Sequence, residues 1–288
     1  MPASFDSLLS NTVRCARDMW LNGWAEDGAG NLSVRMEPGL LKGVEGVRED
    51  SRWFDTGWKA PELGGAAFLM SARGSLFRCL RDRPSEGCGV IRLDGEGERY
   101  KVVWGFEREG APSSEIQSHM AVQAAGTLSG APAVVHVHAP NVIALTCSNV
   151  PDTVSLTRLL WSLHSECIAL FPEGIEVAPW SLPGSEALSR ATARGFLKRR
   201  LMVWPFHGVV AAGRSLDDAI GLIETVEKAS EIYLKAAAAG GPNAWLTEDD
   251  LRAVAARFGV APDEEILCSP SPRSDRTRGR KRTERKGW

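Results

Sequence analysis

Four side chains have the types and spacing to do chemistry. His136 and His138 stand one residue apart in Ala133-Val134-Val135-His136-Val137-His138-Ala139-Pro140, and the chain has only five histidines. The aliphatic residues around them predict a strand, in which positions i and i+2 share a face. At a rise of about 3.3 Å per residue their Cβ atoms lie roughly 7 Å apart, within reach of one ion. Two ligands fall short of the three or four that a metal site needs, and such a pair could equally be hydrogen-bonded inside a core. A third candidate is His207, in Trp204-Pro205-Phe206-His207-Gly208, a turn between apolar runs where the glycine leaves room beside the backbone. Three imidazoles with one open position form the donor set of a catalytic zinc site, although they also suit other transition ions. The fourth residue is Glu115, which follows Ser113-Ser114 at a predicted helix start. Hydroxyls and free N–H groups there favour an anion, and a carboxylate beside it could move protons. His119 and His164 lie in predicted helices and read as structural.

The elements that must position these residues follow from periodicity. Leu8, Leu9, Val13, Ala16, Met19 and Trp20 form one helical stripe over residues 5–22, stopped by Asn22-Gly23. Asp27 to Asn31 is a turn cluster, and residues 32–35 alternate like a strand. Residues 37–65 have no clear period and form a long excursion. A strand is predicted over 66–70, and strands over 89–93 and 100–104 pair through Asp94-Gly95. Ser114 and Gln117 have capping-box spacing for the helix that carries His119. After the histidine strand comes a helix from Pro140-Asn141, then strands over 167–171 and 175–178. A helix over 186–199, strands over 201–204 and 208–212, a long helix over 216–239 and a capped helix over 247–258 follow. Interspersed helices and short strands joined by tight turns imply one layered α/β domain around a largely antiparallel sheet.

With 288 residues, 43% of them hydrophobic and 24% charged, the chain has the makeup of a soluble globular protein with a substantial core. No apolar run is long enough to span a bilayer, and the start lacks the basic and apolar blocks of a secretory signal, so a cytoplasmic location is expected. Six scattered cysteines without a C-x-x-C pair argue for reduced thiols over a disulfide framework. Charge is uneven. After Pro272 eight basic residues face two acidic ones, a balance of +6 that leaves −8 on the rest. The expectation is a catalytic body over 1–262 and a basic, disordered tail over 263–288. An acidic body argues against nucleic acid as a partner, except through that tail.

Taken in order, Trp20-Leu21-Asn22-Gly23-Trp24, Gly30-Asn31-Leu32-Ser33-Val34-Arg35, Pro112-Ser113-Ser114-Glu115, His136-Val137-His138-Ala139, Thr157-Arg158-Leu159-Leu160-Trp161, Ser165-Glu166-Cys167, Phe171-Pro172-Glu173-Gly174 and Trp204-Pro205-Phe206-His207-Gly208-Val209 resemble the class II aldolase and adducin family over nearly the whole body. The resemblance implies a three-layer α/β/α domain in a homotetramer with sites at subunit interfaces. It implies zinc on His136, His138 and His207, Glu115 as proton carrier, and Glu166 orienting the site of a neighbouring subunit. Gly30, Asn31, Arg73, Ser113 and Ser114 match positions for phosphate or its adjoining oxygens. The implied reaction is cleavage of a ketose 1-phosphate, with L-rhamnulose 1-phosphate the expected substrate and dihydroxyacetone phosphate and L-lactaldehyde the products. Two departures touch phosphate recognition: Gly28 replaces an expected asparagine, and Ala72-Arg73 replaces a glycine and a small serine. An arginine there could grip phosphate bidentately or could fill the pocket. The alternatives are another sugar substrate, an epimerase of the same superfamily, and a non-catalytic adducin-like interaction module.

Overall fold

Alternation of side chains along nine strands builds a single sheet in the computed structural model, which describes residues 4–44, 52–108, 110–125, 130–148 and 152–270. The described strands are β1 (Asn31–Met36), β2 (Phe54–Asp55), β3 (Ala67–Ser71), β4 (Cys88–Leu93), β5 (Arg99–Gly105), β6 (Ala133–Val137), β7 (Glu176–Val177), β8 (Leu201–Trp204) and β9 (Gly208–Gly213). They lie in the order β2-β5-β4-β3-β1-β6-β9-β8-β7, and only the β7–β8 pair is parallel. The helices are α1 (Phe5–Leu21), α2 (Pro84–Gly87), α3 (Ile116–Ala124), α4 (Pro140–Ser148), α5 (Thr153–Trp161), α6 (Ser165–Leu170), α7 (Glu186–Gly195), α8 (Leu216–Ala238), α9 (Glu248–Phe258) and α10 (Glu264–Leu267).

Leu32, Val34, Leu69, Val90, Val135, Val203 and Val209 pack on one face of the sheet with residues of α1, α4 and α8, among them Met19, Leu145 and Val226. The opposite face carries Phe68, Met70 and Ile91 against Met120 of α3, and Val134, Met202, Trp204 and Val210 against Val122 of α3 and Leu188 of α7. The result is the expected three-layer α/β/α domain. This two-sided burial fixes register. A slip of one residue in β6 would exchange Val135 for His136 on the larger core, and each buried aliphatic side chain is worth about 1.5–3 kcal/mol. The observed register sets His136 opposite Asn31 of β1 and Val210 of β9, on the face covered by α3 and α7.

Some expectations are corrected. The apolar run 167–171, expected as a strand, lies in helix α6 and the turn after it: Cys167 and Ile168 are buried while Ser165, Glu166 and Leu170 are exposed, a one-sided helical pattern too short to declare its period. Ser114 does not cap α3. Glu115 occupies the N-cap with no side-chain cap, and Gln117 donates instead to the Gly57 carbonyl and accepts from Ser189. The hairpin turn at Asp94-Gly95 is a five-residue connection, 94–98, between the end of β4 at Leu93 and the start of β5 at Arg99, and Asp94 accepts from the Glu98 and Arg99 N–H groups. The body also continues past residue 262. Asp263 caps α10 and its Ile266 and Leu267 are fully buried, so residues 263–270 are packed structure; residues 271–288 of the expected tail lie outside the described residues. The six cysteines are free, and no described helix is long and apolar enough to cross a membrane.

Candidate active site

Three elements bring the histidines together. His136 is the fourth residue of β6, and His138, just past its end, stays extended because its N–H donates to the Trp24 carbonyl (3.0 Å). His207 sits in the three-residue turn from β8 to β9. That turn is held by His207 N–H to the Trp204 carbonyl (3.0 Å) and by Phe206 N–H to Thr146 Oγ1 (3.0 Å), with Phe206 in the left-handed region (φ +62). Gly208 makes the approach of turn and strand possible: a Cβ there would stand 2.2 Å from the Val137 carbonyl oxygen and 3.0 Å from Cε1 of His136. The rings meet with centroids 4.7 Å (His136–His207), 5.1 Å (His138–His207) and 5.3 Å (His136–His138) apart, and one ligand atom from each lies within 4.8 Å of the others. Trp204 backs them, 4.6 Å from His136 and 5.3 Å from His207.

The donor chemistry fits a transition-metal ion. His136 Nδ1–H donates to the Val209 carbonyl (3.0 Å) and His138 Nδ1–H to a carboxylate oxygen of Glu26 (2.8 Å), so in each ring Nε2 is the nitrogen left for a metal. His136 Nε2 and His207 Nδ1 are buried and have no hydrogen-bond partner among the described residues. Such an orphaned pair is costly unless something binds it. Burial, aided by the neighbouring His138, pushes His136 well below the ordinary imidazole value, and burial with His136 beside it lowers His207 to about 4. Both rings are therefore neutral near pH 7, the form that ligates metal.

Glu115 faces this cluster. Its carboxylate oxygens lie 3.6 Å from His136 Nε2 and 3.5 Å from His207 Nε2, and the residue is 5% exposed. Asn31 Nδ2 donates to Oε2 (2.8 Å), and Ser113 Oγ accepts from the Glu115 N–H (3.3 Å). His119 joins the set through Asn31 Oδ1 (2.5 Å) and Ser33 Oγ (2.7 Å). Glu26, Ser33 and His119 were not among the sequence candidates. A carboxylate opening the glycine turn was the only sequence signal for Glu26, and no local signal pairs Ser33 with His119.

The loops expected to receive an anion converge beside Glu115. Residues 27–31 meet residues 72–74 at Gly28, where a Cβ would come within 2.8 Å of the Gly74 backbone. Arg73 N–H donates to the Ala111 carbonyl (2.9 Å), and Ser113 N–H to that of Ser71 (3.1 Å), so the Ser113-Ser114 segment lies against the same loop. Gly30 takes φ +74, Ser113 is buried, and Arg73 and Ser114 are exposed. Glu166 stands apart from the hydrogen-bonded set around Glu115, exposed in the first turn of α6.

Residues 10–234 match the profile of the class II aldolase and adducin N-terminal domain. The chain is 34% identical over 259 residues to the rhamnulose-1-phosphate aldolase of Enterobacter sp. (strain 638), covering 88% of this chain and 94% of that protein. It is 35% identical over 263 residues to the protein of that name from Yersinia pestis (strain Pestoides F), covering 88% and 94%. Among solved structures, a sugar-phosphate aldolase from Thermotoga maritima superposes with a TM-score of 0.69 at 26% identity, over 82% of this chain and 97% of that one. An L-fuculose 1-phosphate aldolase gives 0.61 at 21% identity, over 89% and 98%, a likeness of fold.

Proposed function

This chain belongs to the class II aldolase and adducin family, and from that premise we propose that it is a metal-dependent lyase cleaving a ketose 1-phosphate, L-rhamnulose 1-phosphate first among them, to dihydroxyacetone phosphate and L-lactaldehyde. One observation carries the reading: three imidazoles, two of them with orphaned buried nitrogens, converge in front of a buried carboxylate. His136, His138 and His207 would hold the ion, for which Zn2+ is our assignment because three imidazoles leave one position open. A metal held by these three rings would supply Lewis acidity toward the ketose oxygens.

The chain's own residues do the rest. The C3–C4 bond breaks, the C4 hydroxyl loses its proton and C4 becomes the aldehyde carbon, while C3 takes up a proton. Glu115 is the carrier for C3, held by Asn31 and kept from bulk water by burial. Gly30, Asn31, Ser113, Ser114 and Arg73 receive the phosphate or its adjoining oxygens at the converging loops. Glu166, exposed on α6, serves the site of a neighbouring copy in a homotetramer, and exposed Trp180, Leu182 and Phe206 supply apolar surface for such an assembly. We place the enzyme in the cytoplasm, with residues 271–288 as a basic appendage.

The test is to incubate the zinc-loaded protein with L-rhamnulose 1-phosphate and follow triose phosphate release, with metal content and solution mass measured on the same sample. Release that depends on the metal is expected. No release with metal bound, across a panel of ketose 1-phosphates, would sink the reading. An isomer in place of fragments would move the protein to the epimerases. The chain has two tyrosines, Tyr100 stacked on Phe54 and Tyr233 of α8 packed against the larger core, and neither belongs to the hydrogen-bonded set around Glu115.

A further inference from the structure

Two short spacings interlock behind the proton carrier. Asn31 and Ser33 are i and i+2 on β1 and so point to the same face of the sheet, toward α3. Glu115 and His119 are i and i+4 at the start of α3, one turn apart, joined by the His119 N–H to Glu115 carbonyl bond (3.0 Å). Facing each other, the pairs make a closed line of contacts: Ser33 Oγ to His119 Nδ1 (2.7 Å), His119 Nε2 to Asn31 Oδ1 (2.5 Å), Asn31 Nδ2 to Glu115 Oε2 (2.8 Å). All four residues are buried, from 0% exposed at Ser33 to 6% at Asn31.

Their direction can be read from the acceptor end. Asn31 donates from its NH2 to Glu115 Oε2, and its Oδ1 therefore faces His119. That oxygen only accepts, so His119 must carry its proton on Nε2. Burial lowers His119 to about 4, so the ring is neutral near pH 7 and Nδ1 is an acceptor, to which the Ser33 hydroxyl donates. We propose that Ser33 and His119 lock the amide of Asn31 so that it holds Glu115 in place, which makes His119 a positioning residue for proton transfer in the reaction. Without the ring, Asn31 can turn its oxygen toward Glu115, and acceptor would face acceptor. The lock also limits Asn31, leaving one Nδ2 hydrogen for substrate oxygens.

This inference rests on the proposed aldolase reading only for its kinetic arm, and two measurements separate the two. Long-range nitrogen NMR of the wild-type holoenzyme reports the tautomer directly: Nε2–H on His119 is expected, and Nδ1–H would overturn the lock whatever the protein catalyses. In kinetics, a His119→Leu variant that retains its metal should lose about 30- to 100-fold in kcat with KM within about threefold, since small misplacements of a reacting group cost that much. Solvent-deuterium exchange into dihydroxyacetone phosphate should fall in parallel. His119→Gln, whose amide can still donate to Asn31 Oδ1, should recover kcat to within about fivefold of wild type. Full kcat in His119→Leu, or equal losses in both variants, would sink the proposal; if His119→Leu fails to fold, the tautomer and His119→Gln decide it. A wild-type enzyme that cleaves nothing would fault the reaction assigned and leave the tautomer result standing.

Discussion

The histidine cluster and the glycine loops beside it share Asn31 yet are built on opposite principles. In the cluster, side chains carry the chemistry: His136, 1% exposed, is set by strand register between Asn31 and Val210, and Glu115, 5% exposed, faces it from the N-cap of α3. In the loops, backbone carries the geometry. Asp27, Gly28, Gly30 and Gly74 all take positive φ, and Gly28 touches Gly74 so closely that no Cβ fits between them. The first region cannot change a residue without unsettling a core. The second can exchange its exposed side chains while the chain path stays put. The departures at Gly28 and Arg73 fall in the second region, and so the reaction is better protected than the choice of substrate.

The largest effect should come from the buried region. Glu115→Gln keeps the size of the side chain and its contact with Asn31 but cannot carry a proton, so kcat should drop about 10³-fold, within the range of general acid–base groups. Metal content should stay at the wild-type level, because the proposed ligands are the three imidazoles. Activity within tenfold of wild type would remove Glu115 from proton transfer and erase the sharpest feature of the cluster.

Burial of imidazoles should also make this region acid-sensitive in a way that the loops are not. His119 is held to about 4 against an ordinary value of 6.5. Between those values the unfolded chain binds a proton on this ring that the folded chain does not, so stability falls as pH drops through that window. From pH 7.5 to pH 5 this one ring costs about 2 kcal/mol. Denaturant unfolding of the metal-free protein at both values measures the decline, and His119→Gln, with no ring to charge, should lessen it by that amount. An equal decline in wild type and variant would put the acid sensitivity on other groups.

The same division explains what could be read from the chain. The H-x-H pair and its strand declared themselves because period two is local, and His207 stood out beside Gly208 between two apolar runs. Glu115 was visible from Ser113-Ser114, although the capping box read there does not form, since Gln117 reaches Gly57 and Ser189 instead. The bond between Ser33 and His119 spans 86 residues and depends on how α3 lies across β1, which no window of sequence contains. Helix α6 was misread because six residues show too little of a 3.6-residue period. Helix α5 was passed over, although its stripe of Leu156, Leu160 and Trp161 is regular.

The smallest expected effect tests the loops. Arg73 is exposed, so whatever it contributes to an anion is made partly in water and is modest. A charge-assisted contact there is worth about 1.4 kcal/mol, so Arg73→Ser should raise KM for the phosphorylated ketose about tenfold, with kcat unchanged and no effect on the unphosphorylated sugar. Gly28→Ala should act in the same direction from the other side, because its Cβ can be admitted only if the 73–74 turn moves away. If Arg73→Ser lowers KM, the arginine fills the pocket and does not grip the phosphate. If either change lowers kcat with KM constant, loops and cluster are coupled through Asn31, and the two regions would have to be treated as one.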